Sequence, residues 1–263
     1  MAAAPQLFPE PPLRSIERVR VASCPVDRLS FDEAANEICR RIECGIATHV
    51  IFVNAAKVVK YAREQSLRVA MDNAHLLLAD GVPVVWASRL LRRPLPTRVN
   101  GTDLMERLVA LAEERGYSVY FLGATDEIIS RAVSAFRLRH PRLNVAGFHN
   151  GYLTPQNTET VIKKINASGA QLLFVGMGTP QKELWGNQNL PRLHVSVCQG
   201  VGGSFDVIAG FVRRAPRWMQ RSGLEWFYRF AQEPRRLWWR YLETNSLFAC
   251  MVVKDLISPG KTK

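Results

Sequence analysis

At 263 residues and 47% hydrophobic content, the chain suits one large α/β domain plus an appendage, with ample apolar material for a core. A net charge of +12 and a pI near 9.9 favour anionic partners. The five cysteines (Cys24, Cys39, Cys44, Cys198 and Cys250) are odd in number and lack paired metal-ligand spacing, so they read as small buried hydrophobes in a reducing compartment.

The opening MAAAPQLFPEPPLRS has no basic start and no continuous apolar run. It reads as a loose arm over 1–15 rather than a signal peptide. Ser30 and Glu33 have capping-box spacing and open a helix running towards Cys44. A buried strand is expected over 49–53 (HVIFV), then an amphipathic helix over 55–64. A short strand over 76–79 ends at Asp80-Gly81, and Pro83 suits the first turn of the next helix. A helix over 102–115 leads to a strand over 117–122. Thr125 then caps a helix to about 140, and a strand follows near 143–146. Thr154-Pro155 opens another helix, before a strand over 172–175, a helix after Pro180 and a strand over 194–198. No internal repeat is visible.

This alternation predicts a Rossmann-like α/β fold, a parallel sheet flanked by helices. The catalytic-core pattern runs over 16–210 and stops near Gly210. A helical, basic and aromatic appendage follows over 211–257, then a tail over 258–263. Within the appendage, the stretch from Arg213 to Tyr241 holds eight arginines and four of the six tryptophans, against two acids, Glu225 and Glu233. Arginine binds phosphate bidentately, and tryptophan prefers a boundary between apolar and wet surroundings. Together they suit a membrane edge carrying anionic head groups or diphosphates. A solvated helix pair or a nucleic-acid face is the competing reading. The longest apolar run near the C-terminus, 247–253, is too short to span a bilayer, which implies a cytosolic protein, at most peripheral to a membrane.

Three expected strands end in polar or glycine-rich turns, where open α/β sheets bind ligands. Asp80, just past a strand and beside Gly81, is placed for a general base, though an Asp-Gly pair also suits a plain turn or N-cap. The turns Gly176-Met-Gly178-Thr-Pro-Gln181-Lys182-Glu183 and Gln199-Gly-Val-Gly202-Gly-Ser204 can bring backbone N–H groups to a phosphate at a helix start. Neither completes a GxGxxG, there is no GxxxxGK[ST], and no Asp-x-Asp occurs. A carboxylate-held metal bridging a sugar-nucleotide diphosphate therefore lacks its usual ligands, and arginines would have to neutralise a departing diphosphate.

From about Asn54 to Tyr241 the chain resembles the WecG/TagA/CpsF glycosyltransferases, glycosyltransferase family 26. The motifs that carry the resemblance begin with Asn54-Ala-Ala-Lys57, Asp80-Gly81, Arg98-Val-Asn-Gly-Thr-Asp-Leu104, Phe121-Leu-Gly123 and Gly151-Tyr152. They continue with Val175-Gly-Met-Gly-Thr-Pro180, Gly200-Val-Gly-Gly-Ser-Phe-Asp206, Arg214-Ala-Pro216, Glu225-Trp-Phe-Tyr-Arg229 and Glu233-Pro-Arg-Arg236 to Arg240-Tyr241.

The resemblance implies an inverting, metal-independent transfer from a UDP-sugar to a polyprenyl-diphosphate-linked saccharide at the inner face of a bacterial membrane. No cofactor, metal or nucleic acid is then expected, and a homo-oligomer stays open. It implies Asp80 as the base, with Asn54, Arg98, Gln181 and Lys182 at the donor sugar and its phosphates. Tyr152, Gly176, Gly178, Gly202 and Asp206 fall where such enzymes hold the nucleotide. Arg214, Arg229, Arg236 and Arg240 match positions facing the diphosphates or the acceptor, and Trp238 and Trp239 would meet the membrane. Phe52, where many members carry threonine, and Lys182, where many carry glutamine, depart from the pattern and leave the sugar's identity open. A non-catalytic basic adaptor for membrane or nucleic acid is the alternative from another class.

Overall fold

The computed structural model describes residues 15–221, 225–232 and 234–257. An antiparallel hairpin, β1 (Arg18–Val21) and β2 (Cys24–Asp27), precedes the first helix, α1 (Phe31–Glu43). Six strands then form one sheet: β3 (Thr48–Val53), β4 (Leu76–Ala79), β5 (Ser118–Gly123), β6 (Asn144–His149), β7 (Leu172–Gly176) and β8 (Val197–Gly200). Their order is β4-β3-β8-β7-β5-β6, with every neighbouring pair parallel. The crossovers are carried by α2 (Ala55–Arg63), α3 (Gln65–Asp72), α4 (Val82–Leu90), α5 (Gly101–Arg115), α6 (Asp126–Arg139), α7 (Pro155–Ala167) and α8 (Gln181–Asn189). This is the Rossmann-like α/β arrangement that the alternating pattern predicts.

The sheet is apolar on both faces, as a parallel sheet sandwiched by helices must be. Along β3 the two-residue period divides the side chains. Val50 and Phe52 join one core layer with α1, α5 and α6, while Ile51 and Val53 join another with α2, α3 and α4. Phe121 stacks on Phe136 and Phe174 and meets the edge of Phe205 within the first layer. A third layer, from α7 and α8, covers Tyr120, Leu122, Leu173 and Val175. The expected caps form: Ser30 and Glu33 bond reciprocally at the start of α1, Thr125 caps α6 and Thr154 caps α7.

Some elements differ from the sequence expectation. The last strand begins at Val197 rather than 194, because residues 190–192 make a 3₁₀ turn and Val197 first pairs with Thr48 and Leu172. The hairpin was not expected, since Ala22 and Ser23 turn it with φ of 48° and 72°, without the usual glycine or asparagine. Asp27 docks that hairpin on the sheet: its carboxylate accepts from Leu77 N at 2.7 Å and pairs with Arg18 at 2.6 Å.

Beyond Gly210 come α9's successors, α10 (Arg217–Arg221), α11 (Glu225–Gln232) and α12 (Pro234–Ile257), α9 itself spanning Ser204–Ile208. The segment 211–257 has two characters. The last turns of α12 bury Phe248 and Val252 in the layer that holds α2 and α4, and Asp255 is buried beside Arg93 at 3.5 Å. The part before them keeps Phe211, Trp218, Phe227 and Trp238 exposed. Among the described residues, no helix is long and apolar enough to cross a membrane.

Candidate functional site

Because all six strands are parallel, their carboxyl ends share one edge of the sheet. That edge gathers the turns after β3, β4, β5, β6, β7 and β8, so residues far apart in sequence become neighbours. Asp80 leaves the end of β4 half-buried, its N–H donating to Val53 O at 2.8 Å. Asn54 leaves the adjacent strand; its Cβ is 3.6 Å from where a side chain on Gly81 would begin. Asn54 also caps α2, accepting from Lys57 N at 2.9 Å.

The Asp80 carboxylate is held by a residue that the sequence did not single out. Asn100 donates from Nδ2 to Asp80 Oδ1 at 3.2 Å. The same amide's Oδ1 accepts the N–H groups of Thr102 and Asp103 at 3.0 and 3.1 Å, capping α5.

On one side of Asp80 lies a buried ionic cluster. Lys57 Nζ, from α2, reaches Glu183 Oε1 on α8 at 2.6 Å, and Lys182 Nζ reaches the same oxygen at 2.9 Å. Lys182 also donates to the Thr179 hydroxyl. Burial opposes ionisation of Glu183, but the two ammoniums outweigh it and hold the carboxyl down at about 2. Burial, then repulsion from Lys57, lowers Lys182 to about 8, against the pull of Glu183 and Asp80. Beneath the cluster His49 is buried and lowered to about 4, mainly by desolvation. Helix α8 approaches it so closely that a Cβ on Gly186 would lie 2.4 Å from His49 Nε2.

On the other side is a more open cluster. Arg214 bonds Asp103 at 2.6 Å, stands 3.4 Å from Asn100 Oδ1, and lies 3.5 Å from Glu225 of α11. Glu225 also reaches Arg98 at 3.4 Å. Arg98 and Arg214 are thus drawn together through one acid of the C-terminal helices, while Arg214 also touches Glu106 at 3.8 Å.

The remaining expected positions spread along the same edge. Gly176 is demanded by packing, since a Cβ there would meet the Phe205 ring at 2.3 Å. Gly202 has a φ of +56°, which a side chain rarely adopts. Gly178 and Gln181 are exposed at the start of α8, Asp206 is half-buried on α9, and Tyr152 is exposed after β6. Lys182 lies across Gly200, where a Cβ would be 3.0 Å from its Cδ. Phe52 packs its ring under Gly101 within the core. Trp238 is exposed and tilts against Phe230 with ring centroids 6.0 Å apart. The side chains of Arg229, Arg236, Arg240 and Trp239 lie outside the described residues, as do most of the arm over 1–15 and the tail over 258–263.

The sequence missed Asn100, the Lys57–Glu183 pair and Glu225 as a bridge. Asn100 lies inside the 98–104 motif of the resemblance, and its Asn-Gly-Thr-Asp spacing, an N-cap signal, could also have flagged it. Among the described residues, no three His, Cys, Asp or Glu side chains converge as a metal site. A family model described as Glycosyl transferase WecG/TagA/CpsF family matches residues 19–262, nearly the whole chain.

Proposed function

Since the chain belongs to the WecG/TagA/CpsF glycosyltransferase family, we propose that it transfers a hexose, N-acetylhexosamine or uronic sugar from a UDP-sugar to a polyprenyl-diphosphate-linked saccharide. The family supports a glycosyltransferase of cell-surface polysaccharide synthesis, with a nucleotide-sugar donor and a lipid-linked acceptor in general. The finer reading rests chiefly on Asp80, a carboxylate at the carboxyl edge of a parallel sheet, beside the glycine turns and oriented by Asn100.

Asp80 takes the proton of the acceptor hydroxyl as its oxygen attacks the anomeric carbon. The bond from that carbon to the β-phosphate oxygen breaks on the opposite side. Its electron pair leaves with UDP, and the configuration inverts. No metal ion is needed if cations of the protein balance the leaving diphosphate, the role we assign to the appendage arginines, Arg229, Arg236 and Arg240 among them. Asn54, Arg98, Gln181 and Lys182 serve the donor sugar and its phosphates. Tyr152, Gly176, Gly178, Gly202 and Asp206 hold the nucleotide. The exposed aromatic side chains before the last turns of α12, including Trp238, lie in or beside the arginine-rich stretch of the sequence and suit peripheral contact with the anionic inner face of the membrane.

The test is UDP release from UDP-glucose, UDP-N-acetylglucosamine and UDP-glucuronate with a short-chain prenyl-diphosphate-linked saccharide as acceptor, with and without EDTA. Turnover with one donor, unchanged by EDTA, is expected. Loss of turnover in EDTA, restored by Mg²⁺ or Mn²⁺, would overturn metal independence. No release from any donor, together with tight salt-sensitive DNA binding, would favour the adaptor reading.

A further inference from the structure

We propose that Asn100 is a positioning residue for Asp80, and that through Arg214 it ties the orientation of the base to the seating of α11. The proposal rests on Asp80 being the base.

The amide of Asn100 is fixed by its partners. Its Oδ1 faces two backbone N–H groups, those of Thr102 and Asp103. Backbone N–H groups can only donate, so the oxygen must point at them and the NH₂ must point the other way. That direction is towards Asp80, whose Oδ1 accepts at 3.2 Å. The carboxylate is therefore aimed by a side chain locked to the first turn of α5, and α5 is locked in turn by the core side chains Leu104, Met105 and Leu108. Both ends of a catalytic carboxylate's geometry are then set by the fold: its backbone by the sheet, its oxygen by the cap.

The same Oδ1 has a third neighbour, Arg214 Nη2 at 3.4 Å. Arg214 is held by Asp103 from the same helical turn and by Glu225 from α11. A continuous polar chain thus runs from Asp80 through Asn100 and Arg214 to Glu225 and on to Arg98. A shift of α11 would pull on Arg214, and through it on the amide that aims the base. Contiguous polar contacts are one physical route for such coupling, and each link here is a named pair.

Serine separates the two jobs of Asn100, because it caps a helix about as well as asparagine but has no amide to offer Asp80. In the full chain, Asn100→Ser is expected to keep the urea unfolding midpoint, the affinity for UDP and the donor KM, while kcat falls roughly 10- to 100-fold through misorientation of the base. Asn100→Ala should lose the same kcat and the cap as well, lowering the midpoint. Asp80→Asn, assayed beside them, tells the two readings apart. If Asp80→Asn is inactive and Asn100→Ser turns over like the parent, Asn100 does not position the base and the proposal falls alone. If Asn100→Ser raises KM or lowers the midpoint as much as Asn100→Ala does, its role is structural and the proposal also falls. If Asp80→Asn keeps its turnover, the base assignment fails and takes the proposal with it.

Discussion

The ionic cluster of Lys57, Glu183 and Lys182 and that of Arg98, Glu225 and Arg214 stand on either side of Asp80, and they differ in depth. In the first, Glu183 and Lys57 are 1% and 5% exposed and their contact is 2.6 Å. In the second, the three side chains are 16–19% exposed and Glu225 is 3.4–3.5 Å from each arginine. A buried ion pair is hard to break, because removing one partner strands the other charge away from water. A wetter pair exchanges partners cheaply. The inner cluster therefore fixes α2 against α8 and the floor of the site, whereas the outer one joins the core to α11 by contacts that can open.

The group between the clusters should show the largest effect. Asp80→Asn keeps the size and hydrogen-bonding capacity of the side chain but removes the proton acceptor. Turnover should fall roughly 10²–10⁴-fold while UDP binding persists, as measured by UDP release and titration calorimetry. Glu183 is a poor substitute as the base, since it is buried, held down at about 2 and already shared by two lysines. A variant that retains most of its turnover would remove Asp80 from the chemistry.

Next comes the inner cluster itself. Glu183→Gln leaves Lys57 and Lys182 without their counter-charge in a buried setting, and the expected loss is about 3–5 kcal/mol of stability, read from urea unfolding. Nearly unchanged stability would mean that water reaches the pair and that the two clusters are alike after all.

Acid should expose the same difference. His49 is buried neutral with its pKa down at about 4 against the usual 6.5, so the unfolded chain binds a proton that the folded one refuses. Stability is full above about pH 6.5 and is lost as pH falls towards 4, by roughly 3 kcal/mol for a shift of this size. His75, nearer the surface, is lowered too and adds in the same direction. Below 4.5 a second loss begins, as Glu183, held at about 2, approaches protonation. Thermal midpoints between pH 7 and 4 check the sign, and His49→Gln should flatten part of that slope. A midpoint that stays level between 6.5 and 4 would contradict the burial argument.

The sequence made the turns at the strand ends legible through local signals, and left illegible the contacts that join them across the sheet. Asp80 stood out because a short apolar strand ends at Asp-Gly before a helix with proline in its first turn, all within a few residues. The glycine turns after β7 and β8 were equally local. Lys57 and Glu183 are 126 residues apart and meet only because β8 inserts between β3 and β7 in the sheet. Strand order is a global property, and periodicity along the chain does not encode it. Arg214, expected at a diphosphate by its motif, is also engaged with Asp103, Asn100 and Glu225, partners that the motif does not encode. The end of α12 was grouped with the basic segment by charge, but the apolar side of its last turns buries Phe248 and Val252. Cutting the chain at Gly210 would remove core as well as surface, so point changes give the cleaner test.

The smallest expected effect belongs to the outer cluster. Glu225→Gln removes the acid between Arg98 and Arg214, but Arg214 keeps Asp103 and Glu106, and all these groups are partly wet. Global stability should change by less than about 1 kcal/mol. What should change is the hold on α11, whose attachment loses its charged link to the core. Trypsin should then cut the arginine-rich stretch from Arg213 to Tyr241 faster in the variant than in the parent. Raising salt to about 0.5 M should bring the parent towards the variant, because ions screen wet pairs and leave buried ones nearly untouched. The Lys57–Glu183 pair, in the same salt series, should keep its contribution. If salt and Glu225→Gln both leave cleavage unchanged, α11 is held by contacts other than this charged link, and the contrast between a fixed inner cluster and a releasable outer one disappears.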